Sequence, residues 1–175
     1  YTLDITNVET LSMFTTMFQN WFQNQEANYG YFMKALIAGD LEAMNYYMNK
    51  VALATFSYFD VGSEHGSDPE PERFYHGFVL GLIAERSGIY MIRSNRESGF
   101  GRYDIMMVPQ EREKYPAIII EFKVCSRMRK ETLEEAVQSA LDQITEKNYD
   151  AELLAQGISA DRIRHYGFAF EGKKV

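Results

Sequence analysis

Only one cysteine occurs in the chain, Cys125. That rules out an internal disulfide framework and suits a reducing cytoplasm. Its place just after an apolar run marks it as a core thiol rather than a nucleophile. No window approaches the roughly 18 consecutive apolar residues of a membrane span. The N-terminus lacks the basic-then-apolar order of a secretory signal, so a cytoplasmic location is expected. Tyr1 stands where an initiating Met would, as expected of a piece of a longer chain. Basic residues are scarce early on: residues 1–67 hold Lys34 and Lys50 against seven acids, a balance of −5. The whole chain carries a net charge of −7, which on the bulk sum disfavours a polyanionic partner. Internal repeats and low-complexity segments are absent.

What is present suffices for a domain. The chain has 175 residues, 46% of them hydrophobic, enough for a real core. Residues 1–67 read as a helical N-terminal region. Val8, Leu11, Phe14, Phe18, Trp21 and Phe22 recur at helical spacing after a possible Asn7 cap. A second helix is predicted over about 29–38, stopping at Gly39. Asp40 can cap a third, with Leu41, Met44, Tyr47, Met48, Val51 and Phe56 inward. The loop-like residues 62–71 mark a boundary, and 68–175 form the predicted core. There a helix is predicted over about 72–86, with Gly77 and Gly81 on one side to permit close packing. Gly88 ends it.

The period then changes to two. Strands are predicted over 89–94 and 102–108, separated by a turn-rich segment at 95–101. Tyr103, Ile105 and Met107 are expected on one face of the second strand, and Arg102, Asp104 and Met106 on the other. Residues 117–124 read Ala-Ile-Ile-Ile-Glu-Phe-Lys-Val, a strand apolar on both faces and so central in a sheet. Glu121 and Lys123 share the face of Ala117 and Ile119. Thr132 to Glu135 form a capping box that starts a helix with Leu133, Ala136, Val137, Ala140, Leu141 and Ile144 inward. Residues 163–170 read as a last strand. Helix, three strands, helix, strand is an α/β order.

Asp104, Glu121 and Lys123 dominate the candidate chemistry. An acid and a base at the end of a buried strand are costly unless paired or used. If the second and third strands pair, Asp104 and Glu121 converge on one cation. Hard divalent ions such as Mg²⁺ or Mn²⁺ prefer a few carboxylate oxygens plus water and phosphate. Lys123 could then hold a water or stabilise charge on a phosphate. The competing reading is a buried Glu121–Lys123 ion pair with a purely structural role.

These residues resemble the PD-(D/E)XK nuclease superfamily, in which D…E-x-K stands as Asp104…Glu121-Phe122-Lys123. The resemblance covers the element order from about Glu72 to Phe170. Tyr103 occupies the position that the family motif gives to proline. The text Phe74-Tyr75-His76-Gly77, the run from Ser94 to Asp104, and Gln143-Ile144 look like the C-terminal nuclease-like domain of bacterial ATPase-fused proteins. This chain itself has no Gly-rich Lys-Ser/Thr phosphate loop. The resemblance implies a restriction-endonuclease-like core, a central mixed sheet flanked by helices, with the helical part before it. It implies Mg²⁺- or Mn²⁺-dependent hydrolysis of phosphodiesters, in DNA by expectation, and an ATPase module in the same full-length chain. The alternative is a module that keeps the fold for binding or interaction without turnover.

In this reading Asp104, Glu121 and the Phe122 carbonyl bind metal, and Lys123 positions water. Gln143 either serves the site or simply edges its helix face; relatives place a Gln on this helix, followed by a Tyr for which Tyr149 is the candidate. His76 and Glu72, four apart on one helix, are accessory candidates. Arg96 and Arg102 flank the Gly-rich turn, and Arg127, Arg129 and Lys130 follow the third strand. All five could contact a nucleic-acid backbone or could equally be solvated surface.

Overall fold

The computed structural model describes residues 26–55, 70–84, 88–125 and 130–175. The expected helix before residue 23, Phe56, and Arg127 and Arg129 lie outside these. Among the described residues three helices come first: α1 (Glu26–Ala38), α2 (Leu41–Thr55) and α3 (Glu70–Ala84). A hairpin follows, β1 (Tyr90–Ser98) and β2 (Gly101–Pro109), then β3 (Ala117–Val124). Helix α4 (Leu133–Glu146), the short α5 (Ala151–Ala155) and β4 (Ile163–Phe170) complete the described chain.

The sheet has the order β1-β2-β3-β4. β2 is antiparallel to both of its neighbours, β1 and β3, and β4 runs parallel to β3. This is the mixed sheet flanked by helices of a restriction-endonuclease-like α/β fold, with a helical part ahead of it. β3 is central, as its unbroken apolar run requires. Ile118, Ile119 and Ile120 are fully buried, at roughly 1.5–3 kcal/mol each. Together they outweigh the few kcal/mol of holding one unpaired carboxylate at the strand's end.

One face of the sheet packs on α1, α2 and α3, through Ile105, Met107, Ile118, Ile120, Phe122 and Phe168 against Phe32, Leu36, Met48, Tyr75 and Ile83. The other carries Met106, Val108, Ala117 and Ile119 against Ile144, Tyr149 and Leu153. The first helices are tied to the core by polar contacts as well. Tyr166 donates to the Leu36 carbonyl at 2.8 Å, and Arg164 donates to that of Ile37, so β4 satisfies orphan carbonyls at the end of α1. Asn49 on α2 grips the backbone of Val175 through both amide atoms, at 2.9 and 3.0 Å.

Local signals behave as expected at several ends. The Asp40 carboxylate accepts from Ala43 N at 3.0 Å, capping α2. Thr132 and Glu135 form the capping box of α4, with both reciprocal bonds present. Three expectations are corrected. The segment 95–98 is strand rather than turn: β1 pairs with β2 through Arg96↔Tyr103, Glu97↔Arg102 and Ser98↔Gly101, leaving Gly99 and Phe100 as the whole connection. Tyr103 packs with Met106 and Val108, not with Ile105 and Met107. The face alternation therefore slips between Tyr103 and Ile105, level with Asn95, whose φ of 53° is left-handed. Gly77 and Gly81 do not mediate close packing: both are exposed, and a Cβ at Gly77 would meet nothing.

The close approach occurs instead at Gly167. This residue lies beside Glu121 in the β3–β4 ladder. A Cβ there would sit 2.8 Å from the Val137 carbonyl and 3.0 Å from Ala140 Cβ. Gly167 thus lets α4 lie against the sheet at the level of the carboxylates. Gly167→Ala is expected to destabilise the protein by about 1–3 kcal/mol, read as a lower urea midpoint at unchanged m-value.

Candidate functional site

The site forms where β2 and β3 separate. Their ladder runs Met107↔Ile118, Met106↔Ile119, Ile105↔Ile120 and ends there. The next inward-facing donor, Phe122 N, goes to the Asp104 carboxylate at 2.8 Å instead of to a backbone carbonyl. In a strand the N–H and C=O of one residue point to the same side. The Phe122 carbonyl therefore also points toward Asp104, past the last ladder pair.

Glu121 and Lys123 project from β3 onto the α4 side, as period two demands. Gln143 on α4 meets both: its Nε2 donates to Glu121 Oε1, and its Oε1 accepts from Lys123 Nζ at 2.7 Å. Lys123 Nζ lies 3.4 Å from Glu121 Oε1. Gln143 Nε2 also reaches Tyr149 Oη at 3.1 Å, and that hydroxyl donates to the Arg102 carbonyl at 2.7 Å. A chain of bonds thus runs from Glu121 through α4 to β2, two residues before Asp104.

His76 approaches from α3. Its Nε2 lies 2.9 Å from Ser94 Oγ and 3.3 Å from the Asp104 carbonyl, and its Nδ1 lies 3.4 Å from Asn95 Nδ2. The ring also sits 5.8 Å from that of Phe122. His76 therefore braces the backbone at Asp104 rather than its carboxylate. Glu72 lies on the same helix, one turn earlier.

The electrostatics are those of two acids forced together. Burial, then repulsion from Asp104, push the Glu121 carboxyl up to about 7, against the pull of Lys123. Burial also raises Asp104 above the ordinary carboxylate range, opposed by the Phe122 N–H, His76 and Lys123. Glu121 Oε2 is buried without a hydrogen-bond partner among the described residues. An orphaned carboxylate oxygen beside a second acid, with a backbone carbonyl aimed at the same gap, fits a hard divalent cation. Its charge would reverse the repulsion. Asp104, Glu121 and the Phe122 carbonyl would hold it. Asp104's nearness also disfavours a lone Glu121–Lys123 structural pair.

The remaining predicted residues divide. Arg96, Arg102 and Lys130 are exposed. Arg93, three residues before Arg96, is instead bonded to Glu152 of α5. Cys125 is buried, and burial together with Glu131, Glu171 and Glu134 pushes its thiol up to about 11, so it is no nucleophile. Ser94 and Asn95 were not legible as partners of His76: Ser94 ends the predicted strand and Asn95 opens the predicted turn, whereas the structure continues the strand through both.

A family model for the PD-(D/E)XK nuclease superfamily matches residues 70–175, more than half of the chain. The chain belongs to the PD-(D/E)XK nuclease superfamily. No curated protein and no solved structure matches it. The matched span contains every residue of the site described above. Among the described residues no helix is long and apolar enough to cross a membrane.

The raised carboxyls make a pH prediction for this PD-(D/E)XK domain. The folded state holds the Glu121 proton more tightly than the unfolded chain, whose value is about 4.5. The contribution of Glu121 to metal-free stability should therefore be full below about pH 4.5 and be lost as pH rises through about 7, by roughly 3 kcal/mol at most. Asp104 adds in the same direction. Melting curves from pH 5 to 8 should show this loss without metal, and Mn²⁺ should abolish it.

Proposed function

We propose that this chain is a Mg²⁺- or Mn²⁺-dependent phosphodiester hydrolase acting on DNA. The observation that carries the reading is the buried, unpartnered Glu121 Oε2, whose carboxylate feels the repulsion of Asp104 where β2 and β3 part. A divalent cation bound there would supply Lewis-acid polarisation of a phosphoryl oxygen and a more acidic water. Lys123 is the chain's own contribution to attack. Of its three N–H groups, two are directed to Gln143 and Glu121, leaving one to orient a water or neutralise charge on the phosphate. Gln143 fixes the Lys123 ammonium and the Glu121 carboxylate in one arrangement, and Tyr149 fixes Gln143. In this reading Arg96 and Arg102, both exposed, contact phosphates.

The protein is further read as the cytoplasmic, C-terminal part of a larger bacterial ATPase-fused protein. The text around His76, the run from Ser94 to Asp104, and Gln143-Ile144 support that reading. One observation favours a second reading, a module that binds without turnover: the net charge of −7 opposes a polyanionic substrate. Incubation with labelled DNA and RNA, in Mg²⁺, Mn²⁺ and chelator, separates the two. DNA cleavage that chelator stops and added Mg²⁺ restores is expected. Binding without cleavage in either metal would favour the second reading.

A further inference from the structure

The hairpin between β1 and β2 ends in an exposed aromatic ring. Phe100 is 81% exposed, more than any other large hydrophobic residue described. A single exposed apolar side chain is ordinary. Phe100 differs in being held out by its surroundings. Its N–H donates to the Lys147 carbonyl at 2.7 Å, fastening the tip to the end of α4. Gly99 has φ 58°, and a Cβ there would lie 2.1 Å from the Lys147 carbonyl and 2.3 Å from that of Asn148. Gly101 is bracketed in the same way, with Lys147 Cγ and Tyr149 Oη both at 3.1 Å from its Cβ position. Both glycines are thus buttressed against α4 and the turn after it, and the ring between them points to water.

Turn chemistry does not require a Phe at this place. Gly with positive φ in the first central position is the pattern of a type II′ hairpin, and the second position is ordinarily filled by Asn, Asp or Ser. The hairpin end and the helix end it is fastened to carry the exposed cations Arg96, Arg102 and Lys147, with Glu97 opposite Arg102 in the ladder and Glu146 next to Lys147 in the chain. An aromatic face among cations is the composition that stacks bases and tracks a phosphate backbone. The tip is also continuous with the site. Asp104 lies four residues along β2 from Phe100, roughly 13 Å, and the Arg102 carbonyl between them takes the Tyr149 hydroxyl. That distance is about four base steps along a nucleic-acid strand.

We propose that Phe100 stacks on an unpaired base of the nucleic-acid substrate a few nucleotides from the scissile phosphate, so that the preferred substrate carries a single-stranded segment. A paired base offers its face only within the helix stack, whereas an unpaired base can meet a protruding ring without the cost of unstacking a duplex. The inference rests on the nuclease reading above and deepens it.

The test is binding in Ca²⁺ by the full chain, followed by fluorescence anisotropy. The probes are a labelled blunt duplex and the same duplex with a single-stranded overhang. Phe100→Ala should weaken binding to the overhang probe by about 10-fold, within the roughly 5- to 150-fold range of one lost stacking contact. Binding to the blunt duplex should be unchanged. Phe100→Trp should retain the affinity, and Phe100→Leu should behave like Phe100→Ala. Equal loss on both probes, no loss on either, or full affinity in Phe100→Leu would overturn the proposal. So would a wild-type dimer in sedimentation that Phe100→Ala converts to monomer, since the ring would then belong to a second copy. If the wild type neither binds the probes nor cleaves DNA in Mg²⁺, the nuclease reading falls as well. If it cleaves and Phe100→Ala binds normally, only the stacking proposal falls.

Discussion

Lys123→Ala is expected to lower DNA cleavage in Mg²⁺ by at least about 100-fold, the scale on which removing one preorganised donor to developing charge acts. The same change should leave the fold nearly as stable as before. Removing one partner of a fully buried ion pair ordinarily costs several kcal/mol because the survivor is stranded. Here the survivor has an escape. The Glu121 carboxyl already stands at about 7 with Lys123 present, and losing the ammonium raises it further, so near neutral pH it takes up a proton. The Lys123 side chain is itself 26% exposed, which weakens the lost attraction. A stability change of about 1 kcal/mol or less is therefore expected, alongside near-total loss of turnover. Cleavage rates and urea melts of the two proteins check both halves together. Equal rates would end the assignment of Lys123 to the reaction.

Asp104→Asn separates stability from function in the opposite direction. Asn retains an oxygen to accept the Phe122 N–H that Asp104 takes at 2.8 Å. It removes a charge that burial disfavours and that repels Glu121. The sign is fixed by linkage: a carboxyl raised in the folded state costs stability above its unfolded value, and the substitution removes that cost. The metal-free variant should melt higher than wild type at pH 8, and Glu121 should titrate lower once its neighbour is neutral. Cleavage should fall by about 1,000-fold or more, since a donor to the cation is lost together with its charge. Added Mn²⁺ should raise the melting temperature of wild type and leave that of Asp104→Asn unmoved. A variant that melts lower than wild type without metal would show that Asp104 is structural.

The placement of Asp104, Glu121 and Lys123 on neighbouring strands was legible because each sits on a pattern that sequence can carry. Ile118, Ile119 and Ile120 mark β3 as central, and period two then puts Glu121 and Lys123 on the side of Ala117 and Ile119. The capping box at Thr132 fixes where α4 begins, and so brings Gln143 to the apolar stripe. What sequence could not carry is where regularity ends. Asp104 reaches the Phe122 N–H because the β2–β3 ladder stops after Ile105↔Ile120, and nothing in the alternation of β2 announces that stop. The slip that turns Tyr103 toward Tyr149 and Glu152 depends on backbone at Asn95 and Asp104, a tertiary outcome. Turn composition misled in the same place. Asn95, Glu97 and Ser98 look like loop, yet Ser98 is a buried strand end whose hydroxyl donates to the Tyr149 carbonyl at 2.8 Å. Gly77 and Gly81 drew attention as a packing pair. Gly167, a lone glycine in a strand, is the one that the α4 backbone actually needs to be small.

The central claim is that Asp104 and Glu121 form a cation site in which Lys123 works. It is tested most directly by a crystal of the protein soaked in Mn²⁺, with anomalous density collected at the manganese edge. The account predicts a peak bridging the Asp104 carboxylate, Glu121 Oε2 and the Phe122 carbonyl, absent in Asp104→Asn. No peak in that gap, with Glu121 Oε2 still unpartnered, would contradict it.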